Sequence, residues 1–265
     1  MELSISSVWA NGIAYEPYMG RWSRLVAREL LNWLAIAARA RWLDLGCGTG
    51  VLSETILSMA SPASVTALDP SQGYIAFARS HVRDSRVSFK VGDAMALPVK
   101  AGTYDAVVSG LVLNFVPQAE DAIAEMARVT RPGGTVATYV WDYANGMGLI
   151  RRFWDAAVAL DESVSASDEG RRFPLCHPEP LSRLFANAGL HNVQIRALEI
   201  PTFFRDFDDY WLPFLGGQGP APAYAMSLSD ERRAVLRERI RTTLPVEPDG
   251  SIHLSARAWA ARGRR

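Results

Sequence analysis

Residues 42–50 read "WLDLGCGTG". A short apolar run carrying one aspartate, Asp44, leads into three glycines at alternate positions, Gly46, Gly48 and Gly50. Glycines this dense allow a sharp backbone turn or the close approach of another molecule. "VLSETILSMA" (51–60) follows with helical spacing, so the stretch reads as strand, glycine turn and helix. Working outward, "SVTALDP" (64–70) reads as strand, "SQGYIAFARSHV" (71–82) as helix and "RVSFKVGDA" (86–94) as strand. "YDAVVSG" (104–110) is a strand, "AEDAIAEMARVT" (119–130) a helix and "TVATYVW" (135–141) a strand. "RPGG" (131–134) reads as a helix stop and turn between the last two. These strands are short, apolar and β-branched, as strands buried on both faces are. Such alternation predicts right-handed crossovers and a doubly wound, mostly parallel sheet. "NVQIRALEI" (192–200) and "SIHLSARAWAA" (251–261) bring the strand count to seven.

The rest of the chain sets bounds. Its 265 residues are 49% hydrophobic, enough for a sizeable core. We read one domain over 1–265, with an N-terminal helical segment (1–39), a ligand-binding core (40–142) and two irregular insertions (143–189 and 203–245). The insertions fall between sheet elements and are expected to cap the carboxyl edge of the sheet. Lys+Arg 28 balance Asp+Glu 28, which gives no electrostatic footprint for nucleic acid. Two distant cysteines, Cys47 and Cys176, lack metal-ligand spacing, so no metal site is expected and a reducing cytoplasm fits. The start "MELSISSVWANG" has neither the basic nor the apolar region of a secretion signal. No apolar run approaches the roughly 20 residues of a membrane span.

In an open α/β sheet, ligands bind at the carboxyl ends of the strands near the point where strand order reverses. The glycine loop sits at such an end. Asp69 closes the second strand, 69 − 46 = 23 residues after the first glycine. An acidic residue about 20 residues on can accept hydrogen bonds from ribose hydroxyls. Asp93, after the third strand, can accept from an adenine amino group, and the Ala94 amide can donate to a ring nitrogen. Each aspartate alone would more often be a cap or a turn residue. At three successive strand ends they form one adenosine site. A dinucleotide pyrophosphate wants G-x-G-x-x-G, but the last position here is Val51. A nucleoside without a 5′ phosphate fits better.

With these residues in hand, "LDLGCGTG", "ALDPS", "VGDAMALPV", "YDAVVSGLVLNFV" and "EMARVTRPGGTVATYVW" resemble, in order, the motifs of class I S-adenosylmethionine-dependent methyltransferases. The similarity is greatest to the small-molecule branch that includes quinone-biosynthesis enzymes, and it covers about residues 40–142. It implies a Rossmann-like fold, S-adenosylmethionine as cofactor and S-adenosylhomocysteine as product. It also implies roles for residues. Asp44 would support the loop and the methionine amine, and Gly46, Cys47 and Gly48 would approach the methionyl moiety. Asp69 would bind the ribose, Pro70 would lie beside the adenine, and Asp93 and Ala94 would read its edge. Leu111 and the following "VLNF", with Asn114 and Phe115, would flank the sulfonium and the acceptor.

Ahead of the first strand, "AYEPYMGRWSR" (14–24) carries Tyr15, Tyr18, Trp22 and Arg21. Aromatic faces can stabilise a sulfonium, and Arg21 can pair with a carboxylate. An amphipathic helix packed on the sheet explains the stretch equally well. Trp141, Tyr143, Trp211 and Phe214 belong to an aromatic-rich set that reads as an acceptor pocket under a lid, or as the insertions' own core. "GGQGPAP" (216–222) reads as a hinge or an ordinary loop. His177 in "LCHPEP" is the one histidine worth testing as a base. The function expected is methyl transfer to a small, partly apolar acceptor. Alternatives are a non-catalytic S-adenosylmethionine-binding protein and, disfavoured by glycine spacing, a nucleotide-dependent oxidoreductase. RNA or protein methylation lacks both a basic surface and an "N-P-P-Y"-like run. Acceptor, attacked atom and oligomeric state are not legible.

Overall fold

The computed structural model describes residues 16–217 and 219–265. Tyr15, the start of the chain and Gln218 of the glycine-rich loop lie outside the described residues. A π-helical turn (Glu16–Gly20) leads into α1 (Arg21–Leu34). Then come β1 (Arg41–Leu45), α2 (Val51–Met59), β2 (Ser64–Asp69), α3 (Gln72–His81), β3 (Val87–Val91) and β4 (Tyr104–Gly110). A 3-10 turn (Leu113–Phe115), α4 (Ala119–Val129) and β5 (Thr130–Trp141) follow. The second half runs α5 (Gly148–Leu160), α6 (Glu169–Arg172), α7 (Pro178–Asn187), β6 (His191–Phe204), α8 (Phe207–Trp211), α9 (Pro220–Ser227), α10 (Asp230–Thr243) and β7 (Ile252–Arg264).

The seven strands form one sheet in the order β3-β2-β1-β4-β5-β7-β6. β1 pairs in parallel with β2 and β4, β2 with β3, and β4 with β5. β7 runs against β5, because Gly133 N donates to Arg265 O while Asp142 N donates to Arg257 O. The chain winds outward from β1 to β3, then returns to place β4 on β1's other side. The carboxyl ends of β1 and β4 therefore flank the reversal point, the place where open α/β sheets bind ligands.

Local chemistry accounts for these elements. α1 buries Val26, Leu30 and Leu34 at helical spacing, while Leu25 stays exposed. Ser71 caps α3 by accepting from Tyr74 N. Gly50, at φ 92°, starts α2 without a side-chain cap.

Two sequence readings need correction. "RPGG" is not a turn before β5 but part of it: the strand begins at Thr130, and its register to β4 shifts between Tyr104 and Ala106. The irregularity absorbs Pro132, which has no N–H for the ladder. β6 also runs on to Phe204, four residues past the expected end, so the late insertion begins after the strand.

The chain forms two compact units. A sheet unit comprises Ser23–Val140, Leu175–Leu198 and Trp259–Arg265. Its core includes Trp42, Leu43, Val65, Leu68, Val107, Val108, Ile123 and Val136. An aromatic unit comprises the described residues up to Trp22 with Trp141–Pro174 and Glu199–Ala258. Phe153, Trp154, Phe204, Tyr210 and Phe214 fill its interior, none with any exposed surface.

Candidate functional site

The glycine loop is held by backbone bonds between neighbouring strand ends. Gly46 N and Cys47 N both donate to Leu68 O of β2, at 2.7 and 2.9 Å. Gly46, Gly48 and Gly50 have φ of 72°, 52° and 92°, a region L side chains rarely enter. A Cβ on Gly46 would lie 2.5 Å from Val112 Cγ1. Among the described residues, a Cβ on Gly48 would meet nothing within 4 Å.

Asp69 locks that backbone. One carboxylate oxygen accepts from Gly48 N at 2.9 Å and the other from Ser71 N at 2.8 Å. Burial raises its carboxyl, and the two N–H bonds pull it back. Each oxygen keeps a second lone pair for a ligand hydroxyl.

Asp44 is fully buried. Its Oδ2 accepts from Ser53 Oγ at 2.7 Å, and its Oδ1 has no hydrogen bond among the described residues. Burial pushes the carboxyl up to about 7; the Ser53 hydroxyl lowers it and the charge of Asp69 raises it again. A buried carboxylate with one open oxygen is costly alone and favourable beside a cation. The ammonium of a methionyl group is such a cation, so the residues present fit S-adenosylmethionine.

Asp93 is exposed, and its Oδ1 accepts from Met95 N at 2.9 Å. Ala94 is half-buried and Pro70 exposed. Because β3, β2 and β1 are neighbours, Asp93, Asp69 and Asp44 stand along one edge of the sheet. Leu111 holds φ 61° while its N–H donates to Tyr139 O at 2.8 Å. A side chain at Gly110 would meet the Tyr139 hydroxyl at 2.5 Å. Within the same segment, Ser109 Oγ and Asn114 Nδ2 are buried without a hydrogen bond among the described residues, and Phe115 is half-buried. Cys47 is buried, and burial raises its thiol, with Asp44 and Asp69 adding to the effect. It is therefore poorly suited to act as a thiolate nucleophile.

Sequence reasoning missed Ser53, and it named Val112 only within the "VLNF" stretch, not as the residue that packs on Gly46. Ser53 sits nine residues past Asp44, in the first turn of the helix after the loop. That spacing could have marked it as the carboxylate's donor. Nothing local to Val112 signals its packing on Gly46.

The other candidates fall in the aromatic unit. Tyr18 is buried, edge-on to Phe214 with ring centres 5.5 Å apart. Arg21 Nη1 meets both carboxylate oxygens of Asp209 at 3.1 and 3.2 Å, so the carboxylate it pairs with here is a protein one. Its guanidinium also lies 4.3 Å from the Trp22 ring centre and 4.8 Å from that of Phe204. Trp141 and Tyr143 are buried, the latter 5.5 Å from the Phe173 ring. Trp211 packs at 6.5 Å from Phe207 and 6.1 Å from Phe214. Phe214 stacks on Phe153 at 4.6 Å. These aromatics thus fill the unit's own interior. Glu169, fully buried among them, accepts from the Trp154 indole and from Ala221 N, and burial pushes it to about 7. His177 stands at the N-cap position of α7 with extended backbone and no side-chain capping bond among the described residues, in the sheet unit.

Among the described residues no helix is long and apolar enough to cross a membrane. A family model described as "Methyltransferase domain" matches residues 43–138. The chain is 31% identical over 185 residues to a ubiquinone/menaquinone biosynthesis C-methyltransferase from Dinoroseobacter shibae, covering 64% of this chain and 73% of that protein. It is 36% identical over 118 residues to a malonyl-[acyl-carrier protein] O-methyltransferase from Methylococcus capsulatus, covering 44% and 42%. In fold it matches Haemonchus contortus phosphoethanolamine N-methyltransferase 2 in complex with S-adenosyl-L-methionine, at 18% identity and TM-score 0.59, over 98% of this chain and 57% of the other. By name these proteins are C-, O- and N-methyltransferases in turn. The chain belongs to the class I S-adenosylmethionine-dependent methyltransferases and is similar to the quinone-biosynthesis type.

Proposed function

We propose that this protein transfers a methyl group from S-adenosylmethionine to a small, partly apolar acceptor by in-line displacement. The observation that carries the reading is the buried Asp44 carboxylate with one open oxygen, beside a glycine backbone that Asp69 holds in place. When bound, S-adenosylmethionine supplies an activated methyl: the acceptor's lone pair forms the new bond, and the C–S pair stays on sulfur as a neutral thioether. The leaving group needs no protonation, so the chain's task is alignment, which is worth about 7–11 kcal/mol of barrier. Asp44 takes the amine, the bare backbone at Gly48 admits the methionyl chain, and Asp69 takes the ribose hydroxyls. Asp93 and Ala94 read the adenine edge beside Pro70. Leu111, Asn114 and Phe115 flank the reacting atoms. An acceptor that is ionised near neutral pH needs no general base.

Calorimetric titration with S-adenosylhomocysteine and with NAD tests the reading. S-adenosylhomocysteine is expected to bind and NAD not to; the reverse overturns it. Asp69→Ala removes an acceptor of charge-assisted bonds, each worth about 1.5–3 kcal/mol. It is expected to weaken S-adenosylhomocysteine at least about tenfold. Because the variant also frees Gly48 N and Ser71 N, melts recorded alongside establish that the protein titrated is folded.

A further inference from the structure

The segment after β4 carries more unsatisfied polar chemistry than its length explains. Asn114 Nδ2 is buried and has no hydrogen bond among the described residues. Ser109 Oγ, at the end of β4, is in the same state. Between them Leu111 holds a left-handed backbone at φ 61°, although it is not glycine, and strain of that kind concentrates at binding sites. Val112, next along, is the side chain that packs on Gly46 of the donor loop. Asn114 therefore stands two residues past the one that packs on the glycine loop.

Resting on the methyl-transfer reading above, we propose that Asn114 selects the acceptor class: its buried amide N–H donates to an oxygen of the acceptor, which carries a phenolate, enolate or carboxylate rather than an amine nitrogen. A buried N–H without a partner is unfavourable and becomes favourable when it meets an acceptor atom, most of all an ionised one. A reacting amine commits its one lone pair to the methyl carbon and keeps only donors, so it would leave the Asn114 N–H unpaired. A hydrogen bond to the oxygen also favours the ionised form of the acceptor. The acceptor's lone pair is then present without a protein base. That lone pair bonds to the methyl carbon from the oxygen itself or from a carbon conjugated to it. The C–S pair leaves with sulfur, and a carbon acceptor afterwards loses its proton to water.

The test compares catechol, 1,4-hydroquinone, benzoate and phenethylamine as acceptors, reading S-adenosylhomocysteine formation, in wild type, Asn114→Leu and Asn114→Asp. Wild type is expected to methylate at least one oxygen-bearing compound in preference to phenethylamine. Asn114→Leu is expected to lose roughly 10- to 100-fold in kcat/KM on that compound, with S-adenosylhomocysteine affinity within about twofold of wild type. Asn114→Asp, which replaces the donor by an acceptor, is expected to lose the oxygen-bearing compound and gain on phenethylamine. The proposal is overturned if wild type prefers phenethylamine or turns over none of the oxygen-bearing compounds. It is also overturned if both variants lose cofactor affinity as much as turnover. Wild type that binds no S-adenosylhomocysteine overturns the methyl-transfer reading as well, which separates the two failures.

Discussion

Replacing Asp44 with Asn tests whether the buried carboxylate is built for a cation. Burial lifts this carboxyl from an ordinary 3.8 to about 7. The difference, 7 − 3.8 = 3.2, corresponds to about 4 kcal/mol at 1.36 kcal/mol per pH unit. The raised value means that the folded state holds a proton which the unfolded chain has released. The stabilisation is thus complete below about pH 4 and is lost as pH rises through about 7. Roughly 2 kcal/mol of it disappears between pH 5.5 and 8. Asn keeps an oxygen for the Ser53 hydroxyl and carries no charge, so this loss should vanish. At about 2–4 °C per kcal/mol, the gap between the wild-type melting temperatures at pH 5.5 and 8 should exceed that of Asp44→Asn by roughly 4–8 °C. S-adenosylhomocysteine binding should show the opposite face of the same linkage. Its ammonium requires the ionised carboxylate, so wild-type affinity should fall toward tenfold per unit below pH 7, to roughly thirtyfold weaker at pH 5.5 than at pH 8. The variant should bind weakly at both. Scanning calorimetry and isothermal titration at the two pH values read both effects. Equal pH profiles for the two proteins, or wild-type affinity that rises in acid, would refute the reasoning.

Gly46→Ala should destabilise by about 2–5 kcal/mol, from left-handed backbone strain and overpacking, because its Cβ would lie 2.5 Å from Val112 Cγ1. Gly48→Ala, with φ 52° but open space, should show only the strain of about 1–2 kcal/mol while weakening S-adenosylhomocysteine; equal melts for the two variants would contradict the geometry. Trp211→Ala, at a ring 3% exposed, should cost about 3–5 kcal/mol, read by thermal melt. A normal melt with selective loss of acceptor turnover would show instead that this ring serves a binding pocket.

What could be read from the chain was local. The alternation of β-branched strands with helical spacing, and glycines at 46, 48 and 50, made the strand-turn-helix order legible, because period and turn chemistry depend on near neighbours. The three strand-end aspartates were legible for the same reason: a strand's end carries its residue to a known edge of the sheet. The structure decided what depends on distant partners. Pro132 looked like a helix stop and lies in β5, because a register shift against β4 accommodates it. Arg21 looked free for a ligand carboxylate and meets Asp209, 188 residues away. Whether Trp211 and Phe214 were pocket or core could not be seen until their rings were placed among Phe207, Phe153 and Tyr18. Asp44 was identifiable as a candidate, but its burial, its single bond to Ser53 and its open oxygen are products of packing. A residue's type and spacing limit what it can do; the dielectric around it and the donors left unpaired beside it arise only when remote segments close over it.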